Sequence, residues 1–375
     1  MVVELSRAQA NAWRLSRHHL AVRAPKEQMA RVVADICGLQ AQVMSAAEIG
    51  LWARVEGITS QDVQDALWKS RKLVKTWSMR GTLHLHASSD MALYIAALKT
   101  RLGYKSKPWL KFHRIKLDEI EKITSEVRNA LDGRHLTREE LVEKVVTSAK
   151  LRRWVRTEML SGWGSLLHPA ALQGNLCFGP SQGKSVTFVR PDQWLGEWSE
   201  PSSEDALKTL VRRFIAAYGP STHEDFAHWW GVEPSRARSI VTSLASELEE
   251  VKFGGHLAWI RKVDVAHVTK MEPTGSVRLL PNFDCYTMFY HPRELFVSKK
   301  FRPLVFRQLA GWVSPVLMID GVATGVWTLK RKGSRAEVRV EPFGHLNVGQ
   351  RSLVENEARG LGAFLDLRTE VVLSR

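Results

Sequence analysis

The stretch that decides the fold is Lys72-Leu-Val-Lys-Thr-Trp-Ser-Met-Arg-Gly-Thr-Leu-His-Leu-His86. It predicts two strands, 72–77 and 82–86, joined by a tight turn at Ser78-Met-Arg-Gly81. Capping patterns and apolar periodicity predict helices ahead of this hairpin, at about residues 8–20, 25–37, 45–55 and 59–69. Helices followed by a β-hairpin are the order of a winged helix.

The same order recurs twice further along the chain. The second copy combines a helix capped by Thr137-x-x-Glu140, a basic helix at Lys150–Arg156 and a hairpin over 176–190. A third copy follows a Pro/Ser/Glu-rich link at 200–205, and its hairpin covers 249–262. The fold class is therefore predicted as α+β, with tandem winged-helix units and a C-terminal mostly β segment that ends in a helix. The predicted domains are 1–87, 88–199, 200–270 and 271–375.

The charge of the chain points to a polyanionic partner. Among 375 residues, 54 lysines and arginines stand against 39 acidic residues, which gives a formal net charge of +15. Nucleic acid is the commonest polyanion in a cell, although a basic surface can also serve solubility alone. Three well-separated cysteines exclude a disulfide scaffold. No apolar run is long enough for a membrane span, so we expect a cytoplasmic, nucleoid-associated protein that contacts no membrane.

Gln40 and Gln42 form the most unusual local pattern, between Gly38 and the predicted cap at Ser45. In an extended link, residues i and i+2 point the same way, so both amides would face one place while Leu39 and Ala41 pack on the other side. In a helix the two side chains would diverge by about 200°. The alternative is a pair of solvated glutamines in a turn.

Two neutral amides are suited to one kind of hydrolysis. Their oxygen and NH₂ groups can hold a water molecule, but they cannot remove a proton strongly, so the leaving group must already be good. A purine alkylated at N7 or N3 carries positive charge and departs readily. Positioning and dipole stabilisation can then support attack of the held water on an oxocarbenium-like deoxyribose.

Several segments resemble the winged-helix DNA glycosylases of the AlkZ/YcaQ type, in order along nearly the whole chain. They are Trp77-Ser-Met-Arg-Gly-Thr-Leu-His84, Gly162-Trp-Gly-Ser-Leu-Leu-His168, Leu176-Cys-Phe-Gly-Pro180, Tyr218-Gly-Pro-Ser-Thr222, Leu280-Pro-Asn-Phe-Asp-Cys-Tyr286 and Asp320-Gly321 followed by Gly325-Val-Trp327. The resemblance implies a monomer with a concave surface for double-stranded DNA. It also implies removal of alkylated purines, including bulky adducts and interstrand crosslinks, without a cofactor.

The family's catalytic motif is Gln-x-Gln or Gln-x-Asp, and Gln40 and Gln42 fall on it. The resemblance therefore implies that these two residues position the hydrolytic water. With glutamine at position 42, the motif resembles that of the AlkZ branch, which is associated with self-resistance to DNA-alkylating natural products. The function predicted is a monofunctional DNA glycosylase for cationic N7- or N3-alkylpurines. The alternative is a non-catalytic winged-helix DNA-binding protein such as a transcription regulator.

The predicted DNA contacts come from basic segments of the predicted wings and helices, and the alternative for each is a solvated surface charge. They are Arg14, Arg17, Arg80, His84, Arg152, Arg153, Lys330, Arg331, Lys332 and Arg335. The pair His84 and His86 would share one face of a strand, as metal ligands do, but no further ligand follows at a useful spacing. No metal site is therefore expected.

Overall fold

The computed structural model describes residues 2–307 and 311–374, except for the side chain of Lys332. The protein has an α+β fold that ends in a strand-rich, curled sheet. The α-helices in chain order are α1 Arg7–Arg17, α2 Met29–Asp35, α3 Met44–Trp52, α4 Ser60–Trp68, α5 Met91–Leu98, α6 Lys107–Phe112, α7 Leu117–Ala130, α8 Arg138–Ser148, α9 Arg153–Leu160, α10 His168–Leu172, α11 Pro191–Trp194, α12 Ser203–Tyr218, α13 His223–Trp230, α14 Pro234–Thr242, α15 Val265–Val268, α16 Cys285–Phe289, α17 Arg293–Phe296, α18 Arg302–Val305 and α19 Val348–Phe364.

The strands divide over two compact units, the first formed by residues 1–63 with 208–375 and the second by residues 64–207. In chain order they are β1 Val3–Leu5, β2 Leu39–Gln40, β3 Leu73–Trp77, β4 Leu83–Ala87, β5 Leu136–Thr137, β6 Cys177–Gln182, β7 Ser185–Val189, β8 Leu248–Phe253, β9 His256–Arg261, β10 Val277–Leu280, β11 Phe306–Arg307, β12 Trp312–Val313, β13 Val316–Ile319, β14 Val322–Lys332, β15 Arg335–Pro342 and β16 Arg368–Leu373.

The first unit contains a five-stranded sheet in the order β10-β13-β14-β15-β16. The first three pairings are antiparallel, with a register shift between Leu317 and Met318, whereas β16 runs parallel to β15. A parallel neighbour needs a crossover connection, and α19 supplies it between these two strands. Asn347 caps this helix by accepting from the backbone N–H of Gln350.

The first unit also joins the chain's beginning to its third hairpin. Strand β1 pairs in parallel with β8, and β8 pairs with β9 through a turn at 254–255. Behind them, aromatic rings from α12 and α13 stack closely, with 4.9 Å between the centroids of Phe214 and Tyr218 and 5.2 Å between those of Phe214 and Trp229. These ring contacts bury one face of each amphipathic helix, and the β1–β8 pairing joins residues 3–5 to residues 251–253.

The second unit contains the first two predicted hairpins, β3–β4 and β6–β7, both antiparallel. Strand β5 extends the latter by pairing with β7. The core of the second unit includes Val74, Ile95, Cys177 and Trp194, which are buried and pack together. Helix α8 begins at Thr137, which forms the predicted capping box with Glu140.

Two local predictions are wrong. Helix α3 is capped at Val43 without a side-chain hydrogen bond, so Ser45 lies in its first turn and does not cap it. The basic helix predicted at Lys150–Arg156 begins three residues later, because Lys150 adopts a left-handed φ of 51° and Arg152 is the N-cap. The predicted division into four domains stays a prediction, and the two compact units group the chain differently from it.

Candidate active site

The Gln40–Gln42 segment is a short extended link between two helices of the first unit. Helix α2 is followed by Cys37 and Gly38, whose φ values of 62° and 94° turn the chain sharply. Leu39 and Gln40 then form β2, and Val43 is extended before α3 starts at Met44. The backbone is therefore extended at Gln40 and does not continue either helix.

Burial alternates along this link. Leu39 and Ala41 are buried, whereas Gln40 is half-buried and Gln42 is exposed. This pattern matches the predicted separation of an apolar side from an amide side. The two glutamines are therefore more exposed than Leu39 and Ala41, which belong to the packed layer.

The packed layer holds the link in place from the α2 end and from the α3 side. The Tyr218 hydroxyl donates to the backbone oxygen of Ile36 at 3.0 Å, directly before the turn at Cys37. Leu39 packs against α3 at Gly50, where an added Cβ would lie 3.4 Å from the Leu39 Cδ2 atom. A buried tyrosine hydroxyl with a backbone partner fixes the start of the segment more firmly than apolar packing alone.

A fully buried ion pair lies under the same helix. Arg54 donates to both carboxylate oxygens of Asp284, at 2.7 and 2.8 Å, and also to the Gly50 backbone oxygen at 2.8 Å. Both side chains are excluded from solvent. Burial alone would lower the pKa of Arg54, but the Asp284 carboxylate raises it above its ordinary value. Asp284 is therefore a structural group, already committed to Arg54 and to the N–H of Tyr286.

His18 completes this buried layer. Its ring meets the rings of Tyr218 and Tyr286 edge-on, with centroids 4.8 and 5.3 Å away. Burial, and secondarily the Arg54 cation, hold the pKa of His18 well below its ordinary value, so the ring is neutral. Sequence reasoning missed Arg54, His18 and Tyr218 as supports. Among these three residues, only Tyr218 lies in a motif that the sequence analysis singled out. Arg54 gave no local signal, because its partner Asp284 is 230 positions away.

The structure contradicts the predicted DNA contact by Arg14. Its side chain is 4% exposed and donates to the backbone oxygens of Tyr218, Pro220 and His291. It joins α1 to the loops after α12 and α16 and cannot reach a phosphate from there. Arg17 is half-buried and donates to the Ala216 oxygen, so its DNA contact stays a prediction.

The structure also contradicts the predicted DNA contact by His84, in the second unit. The ring is 2% exposed, and its Nδ1 lies 3.0 Å from the Thr82 backbone oxygen. Arg80, in the turn of the same hairpin, is half-buried and adopts a left-handed φ of 57°. Its phosphate contact remains a prediction.

The remaining basic candidates lie on the surface. Arg153 is exposed at the start of α9, and Arg152 is exposed but paired with Glu119 at 2.8 and 3.0 Å. Lys330, Arg331 and Arg335 are exposed around the turn of the β14–β15 hairpin. The side chain of Lys332 lies outside the described part of the chain. Exposure permits a DNA contact by these residues, which stays a prediction for each.

The buried, neutral rings of His84 and His86 lead us to expect that the second unit loses stability in acid. Burial lowers the pKa of His86 to about 3, and burial together with Arg80 holds the pKa of His84 well below its ordinary value. Both rings are neutral when folded but take up protons in the unfolded chain below about pH 6.5, so their stabilisation is complete above that pH and is lost below it. We expect the free energy of unfolding in urea to fall by about 2–3 kcal/mol between pH 7 and pH 5.5.

The matched variant is His86→Phe, which keeps a ring of similar size without a titrating group. It should reduce the slope of stability against pH by about half over this window, since one of the two uptake sites is gone. An identical slope in the variant and the parent protein would contradict the assignment.

No group of three or more histidine, cysteine or acidic side chains in the described residues is arranged to hold a metal ion. Among those residues, no helix has the length and apolarity that crossing a membrane requires. Cys37, Cys177 and Cys285 are buried and form no disulfide bond with one another. The described site therefore consists of two neutral amides above a buried layer that contains the Arg54–Asp284 ion pair.

Comparisons with known proteins identify the family of this chain. The profile of the family described as DNA glycosylase AlkZ-like matches residues 33–364. An interstrand DNA cross-link repair glycosylase of Streptomyces sahachiroi is 33% identical over an alignment of 358 positions, and the match covers 93% of this chain and 94% of that protein. The solved structure of the Streptomyces sahachiroi DNA glycosylase AlkZ is similar with a TM-score of 0.87 and 31% identity, covering 99% of this chain and all of that one.

Proposed function

This chain belongs to the AlkZ-like family of DNA glycosylases, and from that premise we propose that it hydrolyses the N-glycosidic bond of cationic N7- or N3-alkylated purines. Family membership makes it a hydrolase acting on DNA and sets aside the non-catalytic regulator. The observation that supports the finer proposal is the position of Gln40 and Gln42 on one extended link above a buried layer that contains the Arg54–Asp284 ion pair.

In the proposed mechanism the two amides hold one water molecule against C1′ of the damaged nucleotide. The bond between C1′ and the purine N9 breaks, and its electron pair neutralises the positive charge of the alkylated base. The water oxygen bonds to C1′ and its proton passes to solvent, which leaves an abasic deoxyribose. Because neither amide is a strong base, only an already cationic base should leave at a useful rate.

We further propose that the enzyme is monofunctional. A lyase would need an amine nucleophile at C1′ to form a Schiff base. The sequence has no lysine between Lys26 and Lys69, on either side of the glutamine pair. The product should therefore be an intact strand with an abasic site, released from a monomeric enzyme.

Interstrand crosslinks are part of the proposed substrate range. A relative covering almost the whole chain is named for cross-link repair. A crosslinked base is tethered to the opposite strand, which would obstruct its full extrusion from the duplex. Hydrolysis from within the groove by a surface link such as Gln40–Gln42 avoids that obstruction. A role in self-resistance to a DNA-alkylating natural product is consistent with this range.

The proposal is tested with duplex DNA carrying either N7-methylguanine or a nitrogen-mustard crosslink. We expect release of the methylated base and unhooking of the crosslink, with strand breaks appearing only after alkali treatment. The control is a duplex with unmodified guanine, whose neutral leaving group should give no release. Strand cleavage without alkali would refute the monofunctional assignment, and a crosslink left intact while the small adduct is removed would refute the extended substrate range.

A further inference from the structure

Two exposed aromatic rings in the second unit serve no part of the proposed hydrolysis. Phe112, at the end of α6, is 81% exposed, and Trp163, in the loop before α10, is 75% exposed. They are the most exposed aromatic side chains in the described part of the chain. Large apolar surface left in water is costly, so a pair of such rings marks a binding surface.

The two rings belong to one neighbourhood. His113 contacts the rings of Trp109 and Phe112, with centroids 4.2 and 4.9 Å away. His168 lies 3.1 Å from the backbone oxygen of Trp163 through its Nε2 atom. The Nε2 atom of Gln173, directly after α10, donates to the Tyr104 hydroxyl at 3.0 Å, and Tyr104 lies in the turn before α6, so α6 and α10 belong to one part of the second unit. We call this group (Trp109, Phe112, His113, Trp163 and His168) the aromatic surface.

The aromatic surface has a strongly positive border. Between Asp90 and Asp118 the sequence has no acidic residue but seven basic ones: Lys99, Arg101, Lys105, Lys107, Lys111, Arg114 and Lys116. Of these, Lys99 and Lys105 pair with Glu200 and Glu121, whereas Lys107, Lys111, Arg114 and Lys116 are exposed and take part in no ion pair among the described residues. The Arg80 turn also reaches it, because a Cβ at Gly81 would lie 3.6 Å from the Nδ1 atom of His168. This charge complements a phosphodiester backbone.

We propose that the aromatic surface binds single-stranded DNA by stacking unpaired bases on Phe112 and Trp163 while the α6 cations contact the phosphates. The exposed aromatic rings favour single-stranded over double-stranded DNA. In a duplex the base faces are covered by their neighbours, so an aromatic ring gains a stacking partner only where bases are unpaired. The site accepts any base, because every base offers such a face.

The test measures fluorescence anisotropy of a fluorescein-labelled fifteen-residue oligothymidylate titrated with the full chain. The probe carries no lesion and needs no hydrolysis, so the result is independent of the proposed glycosylase substrate. We expect Phe112→Ala and Trp163→Ala each to raise the dissociation constant about tenfold. Trp163→Phe should bind within about twofold of the parent protein, since a ring remains. Val348→Ala, which truncates another exposed apolar side chain in the first unit, should have no effect.

A second probe separates stacking from charge alone. An abasic oligomer of the same length has the same phosphates and no base faces, and we expect it to bind at least tenfold more weakly than the thymidylate. Lys107→Gln with Lys111→Gln should reduce the salt dependence of thymidylate binding by about 1.4 in log–log slope. Equal affinity for the two probes, or unchanged affinity in both aromatic variants, would overturn the proposal. Both rings are exposed, so the variants should fold normally, as unchanged thermal midpoints would show.

Discussion

Gln40→Ala should slow release of N7-methylguanine from duplex DNA by about 10²-fold under single-turnover conditions, and Gln42→Ala by a similar factor. Each amide is proposed to fix the water that attacks C1′, and a misplaced water forfeits the advantage of a positioned reactant. Gln40 and Gln42 lie on the solvent side of the link, while Leu39 and Ala41 supply its packing. Truncating either amide should therefore leave the fold intact.

The matched control is Gln61→Ala, an exposed glutamine on α4. It should release base at the parent rate. Duplex affinity, measured alongside, should change by less than about threefold in both site variants, because the phosphate contacts supply most of the binding. A loss of DNA affinity that accounts for the whole loss of rate would assign the glutamines to binding and remove them from the chemistry.

Asp284→Ala should lower the free energy of unfolding by about 3–5 kcal/mol. The substitution leaves the Arg54 guanidinium buried without its carboxylate, beneath the helix that follows the Gln40–Gln42 link. A buried cation without a partner carries a desolvation cost that the remaining bond to the Gly50 oxygen cannot offset. Urea denaturation at pH 7.5 measures the change.

Two further variants test whether this loss of stability comes from the buried Arg54–Asp284 ion pair. Arg54→Met combined with Asp284→Leu removes both charges, and should cost about 2 kcal/mol or less, because no ion is left uncompensated. Asp65→Ala breaks the exposed pair with Lys69 and should cost less than about 1 kcal/mol. If Asp284→Ala costs no more than Asp65→Ala, the ion pair does not support the fold.

The winged-helix elements could be predicted because their signals are local. The three hairpins carry alternation and turn residues within about fifteen positions, and the capping box of Thr137 with Glu140 indicates the start of its helix. Strands β1 and β16 escaped prediction, since each pairs in parallel outside any hairpin and so carries no local turn signal. The prediction that Ser45 caps α3 is wrong because the same residue pattern can also occur inside the first turn of a helix.

The site could be predicted only in its exposed part. The Gln-x-Gln spacing and its apolar neighbours indicated an extended link with two amides on one side, and the burial of the four residues follows that pattern. The support beneath it depends on partners 182 and 230 positions apart, namely Tyr218 with Ile36 and Arg54 with Asp284. No local pattern distinguishes a buried arginine from an exposed one, which is also why Arg14 was mistaken for a DNA contact.

The most direct test of the central claim, that the two amides hold one water, is the single-turnover rate of the Gln40→Ala/Gln42→Ala double variant on N7-methylguanine duplex. Residues that act as one unit are not additive, so the double variant should be about as slow as either single variant, roughly 10²-fold below the parent protein. A double variant that releases base at the parent rate would contradict the site. A loss equal to the product of the two single losses would contradict the shared water.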